Sequence, residues 1–159
     1  MTAKRQLVGE VVALIVELQD ATQAVDEAAA DHLGVNLTDL RCLRLVLQDG
    51  ATTATDLAHA TGLTRPAITF AIDRLEKAGL AARTSDPTDR RRILVEPTQT
   101  ARRKVSSLWG PIESAGAEAL SRYPANELRI LADFLRKATK LQDEHALRIR
   151  GSDERKAAG

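Results

Sequence analysis

Residues 37–98 read LTDLRCLRLVLQDGATTATDLAHATGLTRPAITFAIDRLEKAGLAARTSDPTDRRRILVEPT, and their punctuation decides the fold. Leu40, Leu43, Val46 and Leu47 share one face of a helix over residues 37–48, which Asp49-Gly50 stops. Thr53 followed three residues later by Asp56 is a capping-box-like start for a short helix ending at Thr61-Gly62. Thr64 is a second N-cap. Pro66 stands in the first turn after it, where its missing N–H costs nothing. That helix runs to about Ala78, and Gly79 ends it as a C′ residue. The period then changes. Residues 80–84 make a short strand, residues 85–89 (SDPTD) are dense in turn formers, and residues 92–96 return as a second strand. Helix, short helix, glycine turn, helix and hairpin in this order form a winged helix-turn-helix.

The flanks are helical. Leu7, Val11, Leu14, Leu18, Ala21, Val25 and Ala28 alternate spacings of four and three, a heptad-like stripe on one helix over residues 4–31. One helix cannot bury its own stripe, so the rest of the chain or a second copy must cover it. Pro97-Thr98 leads into a helix over about 99–121, with an interruption and kink expected at Gly110-Pro111. A last helix, about 125–148, carries Leu128, Leu131, Phe134, Leu135, Ala138 and Leu141 on one face. Its start, Tyr123-Pro124-Ala125-Asn126, lacks a Ser or Asp cap, and the segment from Gly151 onward reads as a disordered tail. The fold class is therefore mainly α with a small β-hairpin wing, built on about six helices.

The chain has 159 residues, 43% apolar and 28% charged, with a net charge of +1. This suits one soluble domain. No apolar run reaches the length of a membrane span, and the acids inside the N-terminal apolar stretch argue against a secretory signal. The single cysteine, Cys42, excludes an internal disulfide, and the expected setting is the cytoplasm. The near-neutral total hides an asymmetry: residues 1–37 are net −4, residues 38–104 net +4 and residues 105–159 net +1. Within 80–104, Arg83, Arg90, Arg91, Arg92, Arg102, Arg103 and Lys104 face only Asp86, Asp89 and Glu96. A basic centre between neutral or acidic arms fits a polyanion partner; the alternative is a solvated arginine-rich loop.

A B-form major groove admits one α-helix and shows each base pair a distinct pattern of donors and acceptors. The helix from Thr64 to Ala78 is the candidate reader. Arg65, Pro66, Thr69 and Phe70 lie on its outer N-terminal half, while Ile68, Ile72 and Leu75 pack inward on Leu57 and the helix over residues 37–48. Arginine can bond guanine in a bidentate way, Thr69 offers a hydroxyl or methyl, and Arg74 can reach a phosphate. Thr53 and Thr64, at the starts of two helices, complete the helical part of the candidate surface. Arg90, Arg91 and Arg92 at the hairpin tip can enter an adjacent minor groove, with Asp89 holding one guanidinium in place. The competing readings are a plain helical bundle, an ordinary solvated hairpin, and a winged helix used for protein–protein contact. Three consecutive arginines favour phosphate over protein. No catalytic residues, cofactor site or metal site can be read: no Gly-rich phosphate loop or nucleophile elbow is present, and His32, His59 and His145 lack ligand spacing.

The stretch from Leu57 through Val95, with a helix ending DRLEKAGL and a wing reading DPTDRR, resembles the MarR family of bacterial winged-helix regulators, and the likeness extends over about residues 4–148. The resemblance implies a homodimer whose first and last two helices intertwine. Residues 1–36 and 98–150 then form a helical dimerisation domain, with Leu7, Val11, Leu14, Leu18, Leu128, Leu131, Leu135 and Leu141 as interface residues. Residues 37–97 form the DNA-binding domain and 151–159 the tail. It also implies double-stranded DNA as partner, a pseudo-palindromic operator with half-sites about 10 bp apart, and often repression released by a small ligand seated between the lobes. Arg91 matches the wing arginine that members place in the minor groove, and Asp89 the acid near it. Arg65 and Thr69 occupy positions used for DNA contact, whereas Phe70 departs from the polar or basic residue common there. Some relatives sense peroxide through a cysteine in the first helix. Cys42 falls in the second, where a buried small hydrophobe competes with a redox-responsive thiol. Trp109, beside the proline, either lines an effector pocket or packs in the core.

Overall fold

The structure, a computed structural model, describes residues 3–157, with side chains over residues 3–151. Its elements are α1 (Ala3–Leu33), α2 (Leu37–Asp49), β1 (Thr52–Thr53), α3 (Ala54–Thr61), α4 (Arg65–Lys77), β2 (Ala81–Ser85), β3 (Ile93–Pro97), α5 (Gln99–Ser121) and α6 (Ala125–Ala157). Mainly helical with a small β wing, the fold follows the sequence pattern. Packing divides the chain into a unit ending at Gly110 and a unit beginning at Pro111.

The first unit holds the core. Leu40, Cys42, Leu43 and Val46 of α2 meet Leu57 of α3 and Ile68, Ala71, Ile72 and Leu75 of α4. Leu80, Ala81 and Val95 of the sheet close one side; Ala29, Ala30 and Leu33 of α1 and Ala101 of α5 join the same cluster. Each fully buried Leu or Ile contributes about 1.5–3 kcal/mol relative to exposure, so three helices too short to be stable alone hold one another. Because the end of α1 and the start of α5 belong to this core, packing does not break at the boundaries expected at residues 36/37 and 97/98.

Local chemistry sets the ends of the helices. Asn36 Oδ1 accepts the Asp39 N–H at 2.8 Å and the Asn36 N–H donates to Asp39 Oδ2 at 3.4 Å, a capping box that opens α2. Thr53 caps α3, accepting the Asp56 N–H at 3.1 Å, and Thr64 caps α4, accepting the Ala67 N–H at 3.4 Å. At the end of α4, Gly79 adopts φ 69°. There the Gly79 N–H reaches Glu76 O and the Leu80 N–H reaches Leu75 O, both at 2.9 Å. This Schellman pairing needs the left-handed backbone that glycine tolerates, and it delivers Leu80 into the core.

Four features differ from the sequence reading. The hairpin gains a third strand: Thr52 pairs with Val95 and Thr53 with Leu94, giving the antiparallel order β1-β3-β2. Two residues carry no readable alternation, so nothing in the sequence announced it. Both hairpin strands begin one residue later than expected, in a register pairing Ala81 with Pro97 and Ser85 with Ile93. Helix α5 runs uninterrupted through Gly110-Pro111, because proline removes a single rung of the hydrogen-bond ladder and the turns on both sides persist. Helix α6 continues to Ala157, so residues 151–157 are helical rather than a disordered tail. The penalty of about 1 kcal/mol for Gly151 is offset by the helix formers Glu154, Arg155, Lys156 and Ala157. Residues 158–159 of the expected tail lie outside the described residues.

One polar contact straps α2 to α4. Asp39 is fully buried, and Arg74 donates to it twice, Nε to Oδ2 at 2.8 Å and Nη2 to Oδ1 at 2.7 Å. The Arg74 side chain remains 46% exposed. The two partners are therefore unequal. Arg74→Met leaves a buried carboxylate without its counter-ion and is expected to destabilise by about 3 kcal/mol. Asp39→Asn leaves a guanidinium that water can reach and should cost nearer to 1 kcal/mol. Urea unfolding of both variants at one protein concentration checks the order; equal losses would contradict it.

Candidate nucleic-acid interface

The turn between α3 and α4 sets the direction of α4, the candidate reading helix. Gly62 takes φ 70° and its N–H closes onto Ala58 O at 2.9 Å. The Thr61 hydroxyl donates to Leu57 O at 2.7 Å and accepts the Leu63 N–H at 3.3 Å. With Ile68, Ala71, Ile72 and Leu75 buried, the opposite face of α4 shows Arg65, Pro66, Thr69 and Phe70 to solvent. Thr64 is exposed at the first turn, where unpaired backbone N–H groups and the helix dipole favour an anion. Thr69 Oγ1 donates back to Arg65 O at 3.1 Å, which fixes its rotamer and leaves its methyl and lone pairs outward. Phe70 is 62% exposed, an apolar ring left open to water.

The wing tip is organised from within by an acid. Asp86 is buried, and its Oδ1 accepts the Thr88 N–H at 2.8 Å, the Thr88 hydroxyl at 2.6 Å and the Asp89 N–H at 3.4 Å. Its backbone N–H donates to Arg92 O at 3.0 Å, and Arg92 Nη1 stands 3.6 Å from its Oδ2. The bonds from Thr88, hydroxyl first and amide second, hold the Asp86 carboxyl below its ordinary pKa. Asp89 engages Arg91 twice. Its Oδ1 accepts the Arg91 backbone N–H at 3.0 Å and forms a loose ion pair with the Arg91 Nε at 3.9 Å. Asp89 therefore shapes the loop and holds the guanidinium only weakly. The Arg91 side chain is 97% exposed, and Arg90 and Arg92 are exposed beside it. The sequence shows Asp86 only as a turn former; the usable signal is an Asp two residues before a Thr, the spacing of an Asx turn.

Other expected contacts have different partners. Arg74, assigned to a phosphate, gives two donors to Asp39, whose bonds hold its pKa above the ordinary value. Thr53 is half-buried, and its hydroxyl donates to Asp56 Oδ2 at 2.6 Å, a bond that lowers the Asp56 pKa; capping α3 accounts for it. Arg83, counted with the basic centre, is paired with Asp73 and Glu76 of α4. Cys42 is fully buried, and burial, reinforced by the nearby Asp39 charge, pushes its thiol up, away from the thiolate a redox sensor uses. Among the described residues no cluster of His, Cys, Asp or Glu could hold a metal, and no helix is long and apolar enough to cross a membrane.

Trp109 is half-buried against the core, with the Arg44 guanidinium carbon 5.7 Å from its ring centroid. Arg44 in turn reaches both oxygens of Asp26 at 3.0 Å. A groove of about 710 Å³ runs between α1 and α2 in the first unit. Leu18, Gln19, Thr22, Gln23 and Asp26 line one wall, and Leu37, Leu40, Arg41, Arg44, Leu45 and Gln48 the other. Trp109 is not among the lining residues. It braces Arg44 from behind, because the core takes up its ring.

Comparison with known proteins agrees with this architecture. The sequence model of the MarR family matches residues 35–93. The chain is 32% identical to the uncharacterized HTH-type transcriptional regulator YcgE of Bacillus subtilis (strain 168), over 93% of this chain and 96% of that protein. It is 27% identical to the HTH-type transcriptional repressor Rv2887 of Mycobacterium tuberculosis (strain ATCC 25618 / H37Rv), over 69% of this chain and 79% of the relative. In fold it is similar to a MarR family protein from Bacillus stearothermophilus. That match has a TM-score of 0.66 at 18% identity and covers 90% of this chain and 99% of the other.

Two outcomes follow from the geometry. Asp86→Ala should accelerate amide exchange at Thr88, Asp89 and Arg92 severalfold over the parent while leaving α4 unchanged. Because the folded pKa of Asp86 is lowered, its contribution is present at neutral pH and is lost as pH falls below about 4; exchange corrected for intrinsic rates should show it. Cys42 should stay unlabelled by a thiol reagent in the native protein and react fully once unfolded; rapid native labelling would contradict its burial.

Proposed function

Since the chain belongs to the MarR family of DNA-binding transcriptional regulators, we propose that it acts as a homodimeric repressor, released from a pseudo-palindromic operator by a small ligand. The observation that carries this reading is the pairing of an exposed α4 face with a preordered, fully solvated arginine at the wing tip. Arg65, Thr69 and Phe70 would meet base edges in the major groove. Arg91, flanked by Arg90 and Arg92, would enter the neighbouring minor groove, where a narrow groove concentrates negative potential. The name of the mycobacterial relative supports repression over activation.

Dimerisation is supported by apolar surface the single chain leaves open. On α1, Leu7, Val11, Leu14 and Leu18 are exposed, Leu18 to 63%. On α6, Leu131, Leu135 and Leu141 are exposed, and Leu128 is half-buried. Rows of this kind mark an interface rather than a solvated face. Leu18 belongs both to the α1 row and to the wall of the α1–α2 groove, so a second copy laid along α1 would border that groove. A ligand held there that prefers a dimer with misplaced reading helices would lower DNA affinity by its differential binding energy, typically about 1–3 kcal/mol.

The test uses a duplex selected by the wild-type protein from a random-sequence pool. Fluorescence anisotropy should show competitor-resistant binding whose log affinity falls with log salt by about 0.9 per neutralised phosphate. Arg91→Ala should weaken it by about 1–3 kcal/mol. Leu14→Glu should convert the dimer to a monomer in sedimentation and abolish specific binding. A folded monomer with wild-type affinity would overturn the dimer, and failure to select any duplex would favour a protein partner for the wing.

A further inference from the structure

Arg83 stands on β2 opposite Val95 of β3, between the base of the hairpin and its tip. The base is anchored separately: the Thr98 hydroxyl donates to Gly79 O at 2.7 Å and the Thr98 N–H to Leu80 O at 3.1 Å. Above that anchor, the Arg83 backbone N–H donates to Glu76 Oε1 at 2.8 Å. Its Nη1 donates to Glu76 Oε2, and its Nη2 donates to Asp73 Oδ1 at 2.6 Å. Asp73 and Glu76 are one turn apart on α4. A single residue thus joins the reading helix to the middle of the wing through three bonds. Two carboxylates against one guanidinium leave a local net charge of −1, which repels a phosphate. The Arg83 side chain is only 32% exposed, so its guanidinium faces the helix rather than open solvent.

We propose that Arg83 is a positioning residue for DNA recognition. It sets the pitch of the wing against α4, so that the tip arginines and the outer face of the helix reach adjacent grooves together. Charge counting along the sequence places it in the basic centre suited to a polyanion; the geometry gives it a different task. The inference rests on the wing-and-helix reading above.

The selected duplex tests it with Arg83→Met, which keeps the aliphatic stem, and with the double variant Asp73→Asn/Glu76→Gln. Both should weaken specific binding about tenfold with the salt slope unchanged. If Arg83 instead neutralised a phosphate, Arg83→Met would flatten the slope by about 0.9. The double variant makes the protein two charges more positive. Long-range attraction alone would tighten binding, so its weakening is the signature of positioning. A flattened slope for Arg83→Met, or tighter binding by the double variant, overturns the proposal. In the Arg83→Met background the effect of Arg91→Ala should shrink below threefold, since a displaced wing has little left to lose; a full effect also overturns it. Should Arg83→Met fail to fold, the double variant and its own cycle with Arg91→Ala decide the matter. If Arg91→Ala has no effect in the parent chain, the minor-groove contact fails, and the clamp is judged on the slope and the double variant alone.

Discussion

A carboxylate with no access to water organises this protein. Asp39 is fully buried, and a buried charge persists only where its lone pairs are filled. Asn36 fills one through the capping box and Arg74 fills two through a bidentate pair. The same oxygens therefore start α2 and fix the roll of α4 about its axis. That roll determines which residues face outward. Arg74 lies one turn beyond Phe70, so holding it against α2 turns Arg65, Thr69 and Phe70 toward solvent and Ile68, Ile72 and Leu75 into the core. Hydrophobic packing supplies most of the stability, but apolar contacts alone tolerate a helix rotating or sliding by a fraction of a turn. A bidentate pair to a buried acid tolerates it far less.

The pattern of acids and bases then separates fastening from recognition. Arg44, Arg74 and Arg83 each engage a carboxylate brought from elsewhere in the chain, and each fastens two elements. Arg91 is more loosely paired and more exposed than any of these, as the proposed minor-groove contact requires. The wing loop is ordered by Asp86 through its own backbone and Thr88, so its arginines stay solvated on a fixed loop. Ordering the loop before contact reduces the entropy lost on binding, which favours affinity without any additional contact. The charge excess of the central segment is thus smaller in practice than a count suggests, and more sharply directed.

Apolar surface follows a similar division. In the first unit, Ala29, Ala30 and Leu33 at the end of α1 are buried while Leu7, Val11 and Leu14 near its start are not. One helix is therefore anchored at its C-terminal end and open along the rest. Under the proposed dimer, the open part is completed by a second copy, and the α1–α2 groove lies where the anchored and open parts meet. Anything that shifts α1 against α2 acts next to Leu37 and Leu40, which flank Asp39 in sequence.

Features governed by spacing along the chain are legible in the residues alone. The caps at Thr53 and Thr64, the stop at Gly79, the turn in DPTDRR and the heptad-like row from Leu7 to Leu18 involve partners within a few residues, so residue type and interval suffice. The element order, and with it the winged helix, follows from those signals. Which arginine meets which acid is settled only when the elements pack. Arg74 and Asp39 are 35 residues apart, and nothing local distinguishes that pair from the many others a chain with 28% charged residues offers. The same holds for Arg83 on the acids of α4, for β1 joining the sheet with two residues, for Trp109 beneath Arg44, and for the burial of Cys42. Each depends on which faces the core presses together, and that is a property of the packed whole rather than of any interval in the chain.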